Sequence, residues 1–554
     1  MKPPAQDHPF TGEVMRDLYT NHELLARESH RPVMEGEGAV RRVGILGGGT
    51  AGWFTALALR AQLPSLEVTV IETPSIPIIG VGEASVPSLV PFLHHYLKLD
   101  VEEFTREVAP TWKQGIRFEW GMPGDYVFQA PFDWEVNGVG MLGSMAETAN
   151  VSSFTLQGQL MAKDATPIIR TQSGKLHSFL PILAFAYHLD NQRLVAYLRK
   201  TAIARGVVHV DAKMVDAKLS AGDGGDPQVE HLVDDGGRTH AFDLHVDCSG
   251  FRSFLLGDKL AAPYTSYAST LFTDRALAFN VPHGGKLKPY TTARTMQSGW
   301  CWDIPIREDD HLGYVYSSAF ATDDEAHAEA KAVWPEMQGE RVVKFRSGRH
   351  DRLWVGNVFA IGNAYAFVEP LESTGLLMIT RAITSLVRAF PMRGDNAATR
   401  RFVNTTIGRD WDRLRWFLAA HYKFNKRLDS TFWKEVREKC DISGLDHALA
   451  LFRETGPLSL SPRAIRSSLL EEANVFFYGL HGLDCILLGQ KVPHASVERG
   501  PAEAWRARNR LAREFVRRAI PQAEAHRALK EHPEWTDQLV NHPAGWVMKM
   551  LPLL

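Results

Sequence analysis

Three groups of residues in this chain could do chemistry. The first is Gly47-x-Gly49-x-x-Gly52, with Thr50 and Ala51 inside it, set between the apolar run Val43–Leu46 and a helix-patterned stretch from Trp53 to Arg60. Gly47 permits a tight turn out of a strand. Gly49 lets the backbone approach a pyrophosphate, and Gly52 lets helix and strand pack closely. A helix starting there turns free N–H groups and its positive dipole end toward a phosphate. The second is an amine, Lys113, in Thr111-Trp112-Lys113-Gln114-Gly115-Ile116-Arg117-Phe118-Glu119-Trp120. Lysines shift their pKa readily when desolvated and then serve as N–H donors or nucleophiles; an isolated lysine is most often a surface residue. The third is Glu372-Ser373-Thr374-Gly375. Its carboxylate can take a proton or steady a cation, or can simply favour the first turn of a helix. Thr374 and Gly375 offer successive backbone N–H groups to an anion.

The elements that must position these groups are legible around the first one. Strand, glycine turn, helix and the second strand Leu66–Glu72 form a complete βαβ unit, with Glu72 placed to accept hydrogen bonds from a ribose. Two later strands, ending at Val246-Asp247-Cys248-Ser249-Gly250 and at Gly356–Ala364, favour FAD over NAD; Gly362-Asn363 stands where many flavoproteins carry Gly-Asp. The expected fold is α/β, a Rossmann-like FAD module with an inserted β-sheet. From about residue 400 strand signals become rare and Arg/Glu/Leu/Ala-rich helical patterns dominate. The expected organisation is an N-terminal extension over 1–38, a flavin module over 39–400 and a helical substrate-covering module over 401–554.

Composition bounds the rest. The 554 residues carry 62 Lys+Arg against 64 Asp+Glu, so the chain has no bulk charge to hold nucleic acid or a membrane surface. Four scattered cysteines, Cys248, Cys301, Cys440 and Cys485, form no CxxC pair, so neither a disulfide framework nor a zinc site is expected. His94-His95 has no partners at metal spacing and reads as structural, and no metal is expected. No apolar run approaches membrane-spanning length, and the start MKPPAQDHPFTGEV has no apolar signal core. A cytoplasmic protein is the expectation.

Further segments carry a resemblance. Gly49-Thr50-Ala51-Gly52-Trp53, Ile79-Gly80-Val81-Gly82-Glu83-Ala84-Ser85-Val86-Pro87, Trp300-Cys301-Trp302-Asp303-Ile304-Pro305 and Glu369-Pro370-Leu371-Glu372-Ser373-Thr374-Gly375 together resemble the flavin-dependent tryptophan halogenases. The resemblance implies that reduced FAD and O2 oxidise chloride or bromide to hypohalous acid. That acid passes through an internal tunnel to a lysine beside an electron-rich arene. It implies Lys113 as that lysine, Glu372 as the proton acceptor and Thr374 and Gly375 as the halide seat. Gly82, Glu83 and Ala84 fall in a strap over the flavin. Trp300 and Trp302 keep organic substrate off the flavin, and FADH2 comes from a separate flavin reductase. A homodimer is compatible with it. Glu369, three residues from Glu372, is the nearest competitor for its role; Asp190 reads equally as a helix N-cap.

The substrate region departs from the tryptophan-specific members. Gln129 takes the place of a histidine, and Tyr478 that of an indole-stacking tryptophan. Phe128, Phe132 and Tyr478 would hold a flat ring by stacking. The expected substrate is therefore an indole-like aromatic, free or within a larger natural product. The alternatives are an aromatic hydroxylase, in which substrate meets the flavin directly, and a non-catalytic flavin-binding homologue.

Overall fold

A computed structural model describes residues 39–73, 82–132, 151–153, 155–180, 183–222, 225–390, 397–460, 479–495, 502–533 and 536. The extension over 1–38 and Tyr478 lie outside these residues. β1 (Arg42–Leu46), α1 (Thr50–Gln62) and β2 (Glu67–Glu72) build the expected βαβ unit. β1 pairs parallel with β2 on one side and with Leu244–Asp247 on the other, because both faces of the apolar run are covered. The sheet extends to Val208–Asp211 at one edge and to Val358–Ala360 and Trp354–Val355 at the other. Trp53, Phe54, Leu57 and Leu59 of α1 are fully buried.

The inserted sheet has seven strands. Its centre is β4 (Gly299–Pro305), flanked antiparallel by Thr291–Met296 and Asp310–Tyr316. β3 (Thr111–Lys113) belongs to a separate three-stranded sheet, pairing antiparallel with Ala186–Asp190, on whose other side lies Gly82–Ala84. Lys113 and Gly82–Ala84 thus share one small sheet. Asp190 caps the next helix, accepting from the Arg193 N–H at 2.8 Å.

Among the described residues beyond 400, the strand Ala519–Pro521, which pairs with Ala165–Arg170, is the exception to helices and turns. The 28-residue α3 (Ala397–Phe424) runs unbroken through residue 400. Its Asn404 side chain accepts from the N–H groups of Leu353 and Trp354, and Ile407, Trp411 and Leu414 share a core with Leu353, Trp354 and Ala360. This helix thus packs onto the strands Trp354–Val355 and Val358–Ala360.

Candidate active site

A cavity of about 550 Å³ runs from the glycine turn to the N-terminus of α2 (Gly375–Ala389). Gly47, Gly49, Thr50, Ala51, Glu72, Gly82, Glu83, Ala84, Gly362 and Asn363 all line it, as do Thr374 and Gly375. Gly52 does not; it sits behind the turn, where a Cβ would lie 1.9 Å from the Gly47 carbonyl oxygen. Gly47 itself has φ +113°, open to glycine and little else.

The two helices that point at the cavity are both left without side-chain caps. Gly49 and Thr374 are their N-caps, neither makes a capping bond, and neither first turn carries an acid. Other helices do carry caps, among them those begun by Asp190 and by the Thr322/Glu325 capping box. Their first N–H groups have no intrahelical acceptor and are available to anions. A Cβ on Gly49 or on Gly375 would meet no protein atom within 4 Å, so both backbones face open space. The Trp302 indole N–H in the cavity wall is buried without a partner among the described residues. These features fit a flavin dinucleotide such as FAD. Burial pushes the Glu72 carboxyl up, while Arg199 and His209, the latter 3.1 Å away, hold it down. Burial alone pushes Glu83 up to about 7.

Two substitutions separate cradle from scaffold. Gly49 has φ −80°, which any residue adopts, so Gly49→Val is expected to leave thermal stability intact while weakening FAD binding by roughly tenfold or more. Gly52→Ala is expected to cost about 2 kcal/mol of folding stability through its clash with Gly47. Denaturation and flavin-fluorescence titration of both variants check this contrast.

Beyond the cavity wall lies the amine. The Lys113 side chain is fully buried, and its Nζ donates to Ser373 Oγ at 2.6 Å. Its ammonium also stands 5.3 Å from the centre of the Phe132 ring. Burial pulls this lysine from 10.5 down to about 7, against the opposing pull of Glu372. Ser373 also lines the cavity, so it stands between that cavity and Lys113. It holds φ +57°, rare for a non-glycine residue, just before α2 begins. Glu372 is buried, and its Oε1 lies 2.6 Å from Nε2 of His421 on α3.

Glu369 is placed differently. Its Oε2 accepts from the Thr273 hydroxyl, it lies beside Tyr422 and Trp300, and burial pushes its carboxyl up to about 7. Of the two indoles expected at the flavin, Trp302 lines the cavity and Trp300 does not. Trp300 stands behind it on the same face of β4, ring centres 6.2 Å apart, because residues two apart on a strand share a face. Trp302 lies flat over Gly313, where a Cβ would come within 1.9 Å of the ring.

On the strand Phe128–Pro131, Phe128 is buried and stacks on Phe118, ring centres 5.0 Å apart. The Gln129 side-chain oxygen is buried with no partner among the described residues. His94 bonds the Leu99 carbonyl and the Tyr187 hydroxyl, a structural pairing. No group of three His, Cys, Asp or Glu among the described residues could hold a metal, and no described helix is long and apolar enough to cross a membrane.

The family model for tryptophan halogenases matches residues 42–503. The chain belongs to the tryptophan halogenase family. It is 34% identical to tryptophan 7-halogenase KtzQ of Kutzneria sp. (strain 744) over 76% of this chain and 83% of that one. It is 32% identical to tryptophan 7-halogenase RebH of Lentzea aerocolonigenes over 75% and 82%. Among solved structures it is similar to MibH, a lanthipeptide tryptophan 5-halogenase, at 48% identity and a TM-score of 0.87, over 92% of this chain and 97% of that one. This protein is a flavin-dependent halogenase, an enzyme on the α/β flavoprotein fold that its sequence indicated. Two neighbours of Lys113 and Glu372 escaped the sequence reading. Ser373 lay inside a quoted motif with no role attached, and its signal was its place between Glu372 and the helix start. His421 lies 49 positions from Glu372 with no motif of its own.

Proposed function

We propose that this halogenase transfers chlorine or bromine to the indole ring of a tryptophan held within a peptide. The residue-level roles below are part of that reading. Bound reduced FAD, supplied by a separate flavin reductase, would provide with O2 the two-electron oxidation of halide to hypohalous acid. The uncapped N–H groups at Thr374 and Gly375 hold the halide. Trp302 narrows the cavity so that an arene cannot reach the same face, with Trp300 fixing it from behind.

Lys113 holds the hypohalous acid by an N–H hydrogen bond on the other side of Ser373. The indole carbon attacks the halogen, the halogen–oxygen bond breaks, and Lys113 gives a proton to the departing oxygen, which leaves as water. A lysine near 7 is a far better proton donor than one at 10.5. Glu372 takes the proton from the ring carbon, the C–H pair returns to the ring, and the proton passes on to restore Lys113. Gln129, with its unpaired buried oxygen, accepts the indole N–H.

The observation that carries the reading is the buried Lys113–Ser373 contact, which sets an amine immediately behind the cavity wall. The peptide assignment draws support from the 48% identity to a lanthipeptide halogenase, against 34% and 32% to the two tryptophan 7-halogenases. A hydroxylase is disfavoured because Trp302 fills the place its arene would need. The test supplies FAD, a flavin reductase, O2 and bromide or chloride to the enzyme, with free tryptophan or with tryptophan-containing cyclic and linear peptides. The expected product carries the halogen isotope pattern and forms faster from peptide. Addition of one oxygen irrespective of halide would overturn halogenation, and a preference for free tryptophan would overturn the peptide assignment.

A further inference from the structure

His421 is wholly buried, and both of its ring nitrogens are engaged. Nδ1 lies 3.0 Å from the carbonyl oxygen of Phe417, one turn earlier on α3, and Nε2 lies 2.6 Å from Glu372 Oε1. A backbone carbonyl can only accept, so Nδ1 carries a hydrogen. Nε2 of a neutral ring in that tautomer is an acceptor, and a carboxylate oxygen is also an acceptor. Two acceptors do not sit 2.6 Å apart without a proton between them. The Phe417 carbonyl therefore fixes the proton count of the pair at one shared proton. In water imidazole is the stronger base of the two by roughly two pKa units.

We infer that His421 is the positioning partner of Glu372, an imidazolium whose Nε2 proton closes the 2.6 Å contact and holds Glu372 as a carboxylate. This rests on the reading of Glu372 as the proton acceptor and gives that role its physical basis. A carboxylate taken out of water without a partner picks up a proton and becomes useless as a base. The pair stands in such a place, among Phe118 and Phe417, whose ring centres lie 5.4 and 5.1 Å from that of His421. With Oε1 pinned by the imidazolium, the carboxylate is fixed in rotation. His421 keeps its own proton throughout; the proton from substrate enters and leaves on Glu372. Among the described residues, Lys113 on β3 and Glu369 from the loop before α2 also face the pair. Tyr422 adjoins Glu369 on α3, and His188 lies next to Lys113, with burial and Lys113 both holding it neutral.

The experiment uses the full chain loaded with FAD and labelled with 15N-histidine, as the parent and as Glu372→Gln and His421→Gln. The His421 signals are those lost in His421→Gln. In the parent both ring nitrogens should be protonated. In Glu372→Gln, whose amide can donate, one nitrogen should become unprotonated. In turnover, His421→Gln should lower kcat about tenfold with little change in KM. It should also move the acid limb of the pH profile upward, and should add nothing to Glu372→Gln in the double variant. A neutral His421 ring in the parent would overturn the inference, as would ring nitrogens indifferent to Glu372→Gln or an unmoved acid limb. Should His421→Gln not fold, the 15N response to Glu372→Gln alone still decides. If the parent fails to halogenate any substrate, the proposed function fails while the spectra still judge the pair.

Discussion

Lys113→Met is expected to abolish halogenation of the arene while making the protein more stable. The two effects share one cause. Lys113 is fully buried, and burial brings it from 10.5 to about 7. A group whose folded pKa is depressed in this direction penalises the fold in its charged form. Below about pH 7 the lysine is charged in both folded and unfolded chains, so the fold bears the whole cost of burying an ammonium. As pH rises from about 7 to 10.5 the folded protein has already released the proton and the unfolded chain progressively follows, so the cost fades. Methionine fills the same space without a charge and surrenders the bond to Ser373. The net gain is expected to be on the order of 2 kcal/mol near pH 6 and to vanish above pH 10. Denaturant unfolding at several pH values checks it.

Turnover should move the other way. Without the amine nothing holds the hypohalous acid or protonates its departing oxygen, and the loss should be on the order of 10³-fold. The oxidant itself should still form, since Lys113 lies outside the flavin cavity, and should escape into solvent. A chlorination-sensitive trapping dye would then be consumed at nearly the parent rate while indole product disappears. A variant that stops consuming the dye would place Lys113 in oxidant formation instead. Lys113→Arg should not rescue, because a planar guanidinium neither fits the lysine's volume nor gives up its proton.

The contrast between what sequence revealed and what it concealed follows the range of the interactions. The glycine turn was legible because each glycine answers a local demand: a positive φ at Gly47, an open face at Gly49, a carbonyl in the way at Gly52. The βαβ order was legible because buried parallel strands read as apolar runs. Lys113 and Glu372 were reached through the motifs around them, and nothing local distinguishes Lys113 from a surface lysine on a strand. Ser373 and His421 do their work across the chain: Ser373 contacts a residue 260 positions away and His421 one 49 away. Such contacts leave no periodicity and no spacing. Trp300 and Trp302 looked equivalent because they share a strand face, yet only Trp302 reaches the cavity, since Gly313 makes room for that ring. The shift of composition at residue 400 reports the kind of element that follows and not what it packs against.

Glu372→Gln is the second large expected effect, and it should differ from Lys113→Met in kind. Glutamine keeps the shape of the side chain and can still bond His421 through its amide, so folding and flavin binding should change little. It cannot accept the proton that the ring carbon must lose. Halogen transfer to an arene makes a cation whose collapse needs that loss, and a neutral amide neither steadies the cation nor takes the proton. Product formation is expected to fall by about 10²- to 10³-fold. The step that becomes slow is C–H cleavage. A substrate deuterated at the halogenated carbon should therefore show a primary isotope effect on turnover in Glu372→Gln that is small or absent in the parent. The same substrate with the Lys113→Met variant should show none, since there the transfer itself fails before any C–H bond is broken. Glu369 supplies the internal control. It is held by the Thr273 hydroxyl beside Tyr422 and Trp300, so Glu369→Gln should lower stability through its buried hydrogen bonds without raising the isotope effect. An isotope effect that appears in Glu369→Gln and not in Glu372→Gln would transfer the base to the earlier carboxylate.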